Sequence, residues 1–277
     1  MSNESLIISG IGTGLKGARQ VGSILGYKPV PHENNDNAVL PIEIPFTRNS
    51  IGMEYVNGLW QEAAINMPRR YNDAWLNEPF ATNINTRSYQ AASWAGTGAG
   101  VNGTTTSPDG TTNASTINLL SGQYLRNPLF TITENITYTA SAFVKNNGLI
   151  AGETYRFYVN NNSGTGMFVH GTVDIVNGTI TLTASIGATS VSAKIESYPN
   201  GWYRISLTFT VSAGRSSGSA EFGFDGLSIA SGSLYMWGAQ LELGSTETST
   251  IITAGSSFTT LSHVATKSIA SEKIGQT

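Results

Sequence analysis

Cysteine is absent from all 277 residues, which removes disulfides, thiolate metal sites and cysteine nucleophiles together. Charge is scarce too: Asp, Glu, Lys and Arg make up 12% of the chain, about half the usual share. The net charge is −3. No basic footprint is present, so nucleic acid is excluded as an expected partner. Disorder of the kind driven by high net charge is excluded as well. No apolar run approaches the ~20 residues of a membrane-spanning helix, so membrane insertion is not expected. The opening Ser-Asn-Glu is not the basic-then-apolar start of a secretory signal. What remains is neutral polarity: 31 glycines, and Ser, Thr and Asn amounting to close to a third of the chain. The composition predicts a Thr/Ser/Gly/Asn-rich β protein, long enough for one large domain or two small ones and made without export machinery.

Four stretches differ in texture. Residues 1–45 are Gly-broken up to Gly26 and then carry Pro29, Pro31, Pro41 and Pro45 around a polar run from His32 to Asn37. Proline fixes φ and removes a donor, so this stretch reads as an extended segment that orders against a neighbour, an anchor or oligomerisation element. Residues 46–88 hold a hairpin signal, Asn57-Gly58 between two mixed apolar runs, because both residues accept the positive φ of a type I′ turn. The remainder of that stretch reads as loop-rich, with Trp75 and Phe80 as packing anchors. The Gly/Thr/Asn tract from Ala95 to Asn113 also reads as loop. Residues 89–250 form the main domain and 251–277 a tail.

From about Gln123 to Leu243 the pattern has period two. Tyr138, Ala140 and Ala142 alternate with Thr and Ser, and Tyr155, Phe157 and Val159 alternate with polar residues. Ile180, Leu182, Ala184 and Ile186 repeat this, and Tyr203, Ile205, Leu207, Phe209 and Val211 give the cleanest run. Tyr235, Trp237, Ala239, Leu241 and Leu243 close the series. One apolar face per strand, with Asn-Gly pairs at 147–148, 177–178 and 200–201, predicts half-buried antiparallel strands. The fold class is all-β: an antiparallel β-sandwich of jelly-roll type, preceded by the hairpin region and the extended N-terminal anchor.

Two motif clusters go beyond generic alternation. The first is Pro45-Phe46-Thr47-Arg48-Asn49-Ser50, Tyr55-Val56-Asn57-Gly58-Leu59-Trp60, Ala64-Ile65-Asn66-Met67-Pro68-Arg69 and Glu78-Pro79-Phe80-Ala81-Thr82-Asn83. The second is Asn200-Gly201-Trp202-Tyr203-Arg204 followed by Leu234-Tyr235-Met236-Trp237-Gly238-Ala239-Gln240-Leu241-Glu242. Between them stands Ser107-Pro108-Asp109-Gly110-Thr111-Thr112. In this order, over about 46–250, they resemble bacteriophage virion proteins, mostly tail-fibre or receptor-binding components with a carbohydrate-binding-like jelly roll. After Glu242 the chain departs from that family, with Thr250-Ile251-Ile252-Thr253 where an extended Tyr-Ile-Pro-Thr segment is usual. The resemblance implies a fibre or spike subunit of tail or capsid, assembled in a host cytoplasm into the virion. Residues 1–45 would contact other virion proteins, the subunit would form a homotrimer, and the sandwich would meet host surface glycan. A depolymerase, or a decoration protein without ligand, are the alternatives.

The residues offer little for catalysis. His170, in Phe168-Val169-His170-Gly171, reads as a structural or surface residue, and His32 and His263 as solvated. Asp174, Glu196, Glu221, Asp225 and Glu242 lie in the β region and read as exposed strand carboxylates, since a glycosidase needs two carboxyls facing across roughly 5–9 Å. Asp109 with Asn102 and Asn113, or Asp225, supplies hard oxygens for calcium, without the spacing of an EF-hand loop; no metal site and no cofactor is assigned. Sugar binding rests on aromatic faces with neighbouring polar groups. Trp94, Tyr89, Tyr124, Tyr158 and Tyr198 lie in loops or on the polar phase of a strand, and Trp202 is out of phase with the Tyr203–Val211 face. Packing under a loop is the plain alternative for each.

Overall fold

The computed structural model describes residues 46–48, 50–65, 67, 69–72, 74–76, 78–161, 166–184, 186–260 and 264–265. The anchor reading of 1–45, with His32, lies outside the described residues, as does His263. The chain divides into two compact units, one of Met1–Asn57, Gln61–Phe80 and Thr260–Thr277, the other of Gly58–Trp60 and Ala81–Thr259.

The smaller unit is built on short strands: β1 (Phe46–Thr47), β2 (Gly52–Val56), β3 (Leu59–Ala63), β4 (Arg69–Tyr71) and β5 (Ala74–Leu76). They form a sheet in the order β3-β2-β4-β5, with β4 parallel to β2 and antiparallel to β5. The Asn57-Gly58 turn has φ of 54° and 82°, the left-handed pair that a type I′ hairpin requires. Buried charge holds this small sheet. Arg48 donates from Nη2 to the carbonyls of Ala63, Ala64 and Met67 at 3.1, 2.5 and 3.2 Å. Glu54 accepts from Gln61 at 2.7 Å and from the Arg70 backbone and guanidinium at 3.1 Å. Arg69 pairs with Glu78 at 2.9 Å. Phe80 is not a packing anchor: it is 68% exposed, just after Pro79 and before β6 begins at Ala81. Only the backbone of Trp75 is described.

The larger unit is a two-sheet antiparallel sandwich. Its strands are β6 (Ala81–Asn83), β7 (Ala95–Gly96), β8 (Ala99–Thr105), β9 (Ala114–Asn118), β10 (Tyr124–Arg126), β11 (Phe130–Ile132), β12 (Thr137–Asn147), β13 (Tyr155–Asn161), β14 (Gly166–Asp174), β15 (Thr179–Ala184), β16 (Ala188–Tyr198), β17 (Trp202–Val211), β18 (Ser217–Gly226), β19 (Ser233–Leu243) and β20 (Phe258–Thr260). One last strand, β21 (Val264–Ala265), returns to pair with β1 in the smaller unit. One sheet runs β15-β14-β13-β18-β10-β7 with β11 also on β18, and the other runs β16-β17-β12-β19-β9-β8. The core lies between them. Tyr155, Phe157, Val159, Phe222 and Phe224 of the first sheet meet Tyr138, Ala140, Ile205, Leu207 and Phe209 of the second. Phe168 stacks on Phe209 across the gap, with ring centroids 5.8 Å apart. Fully burying such a side chain is worth about 1.5–3 kcal/mol, so the period-two faces account for the assembly of the sandwich. The Asn-Gly pairs at 177–178 and 200–201 connect antiparallel partners, β14 to β15 and β16 to β17. The pair at 147–148 leads from one sheet to the other, and Asn102-Gly103 lies inside β8.

Three sequence readings need correction. The tract from Ala95 is strand, not loop, for much of its length. β8 closes the six-stranded sheet against β9, and glycine is required there because a Cβ at Gly100 would lie 2.3 Å from the Ala91 backbone. Second, β19 changes phase. Gly238, at φ 61°, forms a bulge between the pairs Ser141↔Gln240 and Phe143↔Trp237. Leu234 and Met236 before it, and Ala239 and Leu241 after it, therefore face the core. Trp237 is buried on the opposite side of the sheet, against Phe143. Third, β15 is an edge strand whose Leu182 is exposed, as is Ile186 just beyond it.

Candidate functional site

The outward side of the seven-stranded sheet follows from the same alternation. With Phe157, Phe222, Phe224 and Leu125 turned into the core, Tyr124, Asp225, Arg156 and Thr172 form one cross-strand row. Arg126, Gly223, Tyr158 and His170 form the next. Glu221 and Asn160 face each other one step further along. Neighbouring strands lie about 4.8 Å apart, so these rows are a contiguous polar and aromatic patch.

Two guanidinium–carboxylate pairs frame the patch. Arg156 meets Asp225 directly across the strands at 3.1 Å, and Arg126 pairs with Glu221 on the diagonal. Arg126 also sits over the Tyr124 ring, 5.7 Å from its centroid. Between the pairs Tyr158 is only 1% exposed, its ring 5.8 Å from that of His170. His170 Nε2 lies 2.7 Å from Asn160 Oδ1. Burial, reinforced by the Arg156 charge, lowers the His170 imidazole to about 4, so it is neutral at pH 7. Burial raises the Asp225 carboxyl to about 6 against the opposing pull of Arg156. Burial likewise raises the Tyr158 phenol.

The six aromatics singled out from the sequence fall in three places. Tyr124 and Tyr158 share the patch just described, with Tyr124 partly exposed and Tyr158 sealed. Tyr198 and Trp202 are register partners on the outward side of the six-stranded sheet; Tyr198 packs edge-on to Phe143 at 5.0 Å. Trp202 is buried rather than exposed: its phase was read correctly, but that side of the sheet is covered in its turn. Trp94 is in the core, against Phe222 and Phe224, and donates Nε1–H to the Arg87 carbonyl at 3.1 Å. Tyr89 is half-buried, its carbonyl accepting from Ser115. Sealed rings offer no face to a ligand, so Trp94, Tyr158 and Trp202 leave the stacking set.

The carboxylates are also committed. Glu221 and Glu242 are buried, not exposed. Asp174 caps the turn at Asn177, and Glu196 pairs with Lys194 at 3.0 Å. Glu221 and Asp225 stand four residues apart on β18, about 13 Å between Cα atoms at a strand rise near 3.3 Å per residue, and each holds its own arginine. Asp109 closes its own turn: Oδ1 accepts from Ser107 Oγ at 2.5 Å and from Thr111 N at 2.9 Å. Asn102 turns elsewhere, accepting from Ala92 N at 2.9 Å. Among the described residues no group of three or more His, Asp or Glu is placed to hold a metal ion.

The sequence reading missed a second polar constellation, on the outward side of the six-stranded sheet. Asn83 is fully buried. It donates to the carbonyls of Ala239 and Ile251 at 3.2 and 2.8 Å and accepts from Leu241 N and Asn85 N at 3.1 and 3.0 Å. Asn85 donates to the Ala239 carbonyl at 2.9 Å. Ser88 and Thr253 bond reciprocally, hydroxyl to backbone. Thr139 and Thr208 donate to the carbonyls of Gly244 and Ser245 at 2.9 and 3.5 Å. Two chain segments, before β7 and after β19, are thereby strapped to the sheet. The signal available in sequence was the polar Gln240 and Glu242 inside an otherwise apolar strand.

No family model matches the sequence, and no curated protein matches it. Among solved structures the chain is similar to the CBM22-1 xylan-binding domain from Paenibacillus barcinonensis Xyn10C, with TM-score 0.34 and 11% identity over 62% of this chain and 98% of that one. It is also similar to an apo form cyclase from Fischerella sp., with TM-score 0.30 and 10% identity over 62% of this chain and 87% of that one. The fold itself is plain from the strands: an all-β antiparallel sandwich.

Proposed function

We propose that this chain is a bacteriophage structural protein, a non-enzymatic fibre or spike subunit that displays its sandwich and meets host surface glycan with the outward side of the seven-stranded sheet. The observation that carries this reading is where the recognisable motifs go. Asn83, Gln240 and Glu242 are spent on the buried strapping of the sandwich, and Ser107 with Asp109 is spent on a self-closed turn. With those motifs spent on the scaffold, the partly exposed patch of the seven-stranded sheet is the surface this reading gives to a partner. Among the described residues, Asp174, Glu196, Glu221, Asp225 and Glu242 are each already bonded to a partner, which counts against a two-carboxylate depolymerase built from them. For the glycan, the reachable groups are Tyr124, Arg126, Arg156 and Asp225, an aromatic face beside charged donors and acceptors that suit a polyhydroxylated ligand. Residues 1–45 would dock to capsid or tail, and trimerisation would supply the core this segment lacks.

Immunogold labelling of intact particles with antibody to the sandwich, together with native mass, tests the structural reading. Labelled particles and a mass three times 29.3 kDa are expected; a monomer missing from particles overturns it. Calorimetric titration with host polysaccharide tests the glycan face, and R156A should abolish its binding. No heat with the unsubstituted protein at millimolar sugar reduces the chain to a spacer.

A further inference from the structure

Under the straps, Gln240, Glu242 and Thr248 form a closed ring of polar side chains, the first two fully buried and the third nearly so. Glu242 Oε2 accepts the Thr248 hydroxyl at 2.7 Å. Glu242 Oε1 accepts the Gln240 amide at 2.6 Å and the Thr248 backbone N–H at 2.9 Å. The Gln240 carbonyl oxygen accepts the Ile251 N–H at 2.8 Å, and its amide nitrogen is 3.3 Å from Thr248 Oγ1. One carboxylate therefore touches both a hydroxyl and an amide nitrogen, while a backbone N–H holds the oxygen of that same amide.

We propose that this is an autocatalytic modification site, at which Thr248 and Gln240 join through an intramolecular ester with release of ammonia. This inference is independent of the function proposed above. Thr248 Oγ1 attacks Gln240 Cδ while its proton passes to Glu242 Oε2. Negative charge develops on the former carbonyl oxygen, where the Ile251 N–H already points. The Cδ–Nε2 bond then breaks as Glu242 returns the proton to nitrogen, ammonia leaves, and the carbonyl re-forms. One C–O bond replaces one C–N bond, nothing is oxidised or reduced, and Glu242 ends ionised as it began. Burial raises the Glu242 carboxyl above the ordinary range, which strengthens it as the base.

With Nε2 donating to Oγ1 at 3.3 Å along an N–H directed at about 120° to the C–N bond, Oγ1 lies about 4 Å from Cδ in the amide plane, so the amide must turn its face to Oγ1 and close by roughly 1 Å to reach a near-attack contact. Water is excluded from the attack, and dilution of the ammonia draws the exchange forward. The product would lock the strap that follows β19 to the strand itself, in a chain that has no cysteine to do so.

Intact-mass spectrometry of the full-length protein tests this directly. The expected mass is lower than the sequence mass by one ammonia, about 17 Da. After denaturation and cleavage following Glu242 and Glu247, the peptide ending at Glu242 should remain joined to the one beginning at Thr248. T248S should keep the loss, whereas T248V and E242Q should show the unmodified mass. A full sequence mass in the unsubstituted protein overturns the proposal. So does a loss that maps instead to an Asn-Gly pair as a succinimide, or one that survives T248V.

Discussion

Removing the Asn83 side chain should cost more than removing any surface residue, and the cost can be worked from its partners. In N83A three backbone groups lose the Asn83 side chain as partner inside the protein: Leu241 N–H, Asn85 N–H and the Ile251 carbonyl. The Ala239 carbonyl keeps Asn85 as a donor. An unsatisfied buried group costs about 1–3 kcal/mol, and partial relaxation or water entry recovers some of it, so the net loss should be about 3–5 kcal/mol. For a body of this size that lowers Tm by roughly 6–20 °C. Urea and thermal unfolding followed by tryptophan fluorescence measure it. N83D sharpens the test, because a carboxylate would face the carbonyl oxygens of Ala239 and Ile251, whereas the protonated acid still donates to one of them. Its carboxyl should therefore titrate above the ordinary value in the folded protein. The stability held in the protonated form is present at pH 4 and lost as pH rises through that raised pKa, so N83D should approach N83A at pH 7. An N83A protein within 0.5 kcal/mol of the parent, or an N83D protein that gains stability toward pH 7, refutes the strap as a stabilising device.

Three further outcomes follow from the geometry. His170, held neutral by burial and by Arg156 at about 4 against an ordinary 6.5, should give an imidazole titrating far below the ordinary value by NMR. Its stability contribution, about 3 kcal/mol at one pKa unit per 1.36 kcal/mol, is present above pH 6.5 and is lost as pH falls through 4; a His170 imidazole titrating near 6.5 would contradict the burial. R126A leaves the Glu221 carboxylate buried without its cation and should cost about 2–4 kcal/mol in urea unfolding, while R126A/E221Q should recover part of that, and no recovery would mean the pair is not coupled. G238A places a Cβ 2.9 Å from Thr250 Cγ2 at a φ of 61° and should lose about 2–3 kcal/mol from strain and clash together, read as a lowered Tm; an unchanged Tm would show that the bulge is not needed.

Three inward-facing runs were legible because water enforces period two on a sheet with one dry side. Ile205, Leu207 and Phe209 on β17, Tyr155, Phe157 and Val159 on β13, and Tyr138, Ala140 and Ala142 on β12 all face the core. Alternation reports which side a residue takes, but it does not say whether that side is covered. Trp202 was placed on the correct side and wrongly taken as exposed, and Glu221 and Glu242 were taken for solvated carboxylates for the same reason. The bulge at Gly238 was hidden because one extra residue reverses the phase of β19 without altering its composition. In β8 the close approach of the Ala91 backbone selects glycine, and a glycine-rich strand has no apolar face to betray it. Of the six aromatics, Tyr124 lies on the patch and is partly exposed, as Tyr89 and Tyr198 are elsewhere; Asp225 stood out in the sequence only as a carboxylate or a calcium oxygen, and Arg126 and Arg156 join it through register alone.

The two outward sides of this sandwich are therefore used differently, and the difference bears on where a ligand can act. On the six-stranded sheet, Thr139, Ser141, Ser206, Thr208, Arg204, Gln240 and Glu242 are all buried, and the chain segments that bury several of them are its own. On the seven-stranded sheet the ion-paired side chains of Arg126, Arg156 and Asp225 keep 23%, 33% and 22% of their surface. A buried pair must recover its desolvation from fixed geometry, but a pair this exposed remains open to exchange with an incoming hydroxyl or carboxylate. If R156A weakens polysaccharide binding while leaving unfolding within about 1 kcal/mol of the parent, the pair serves recognition. Should R156A instead destabilise the sandwich strongly and leave binding intact, the patch is scaffold like its counterpart, and the ligand must be sought away from both sheets.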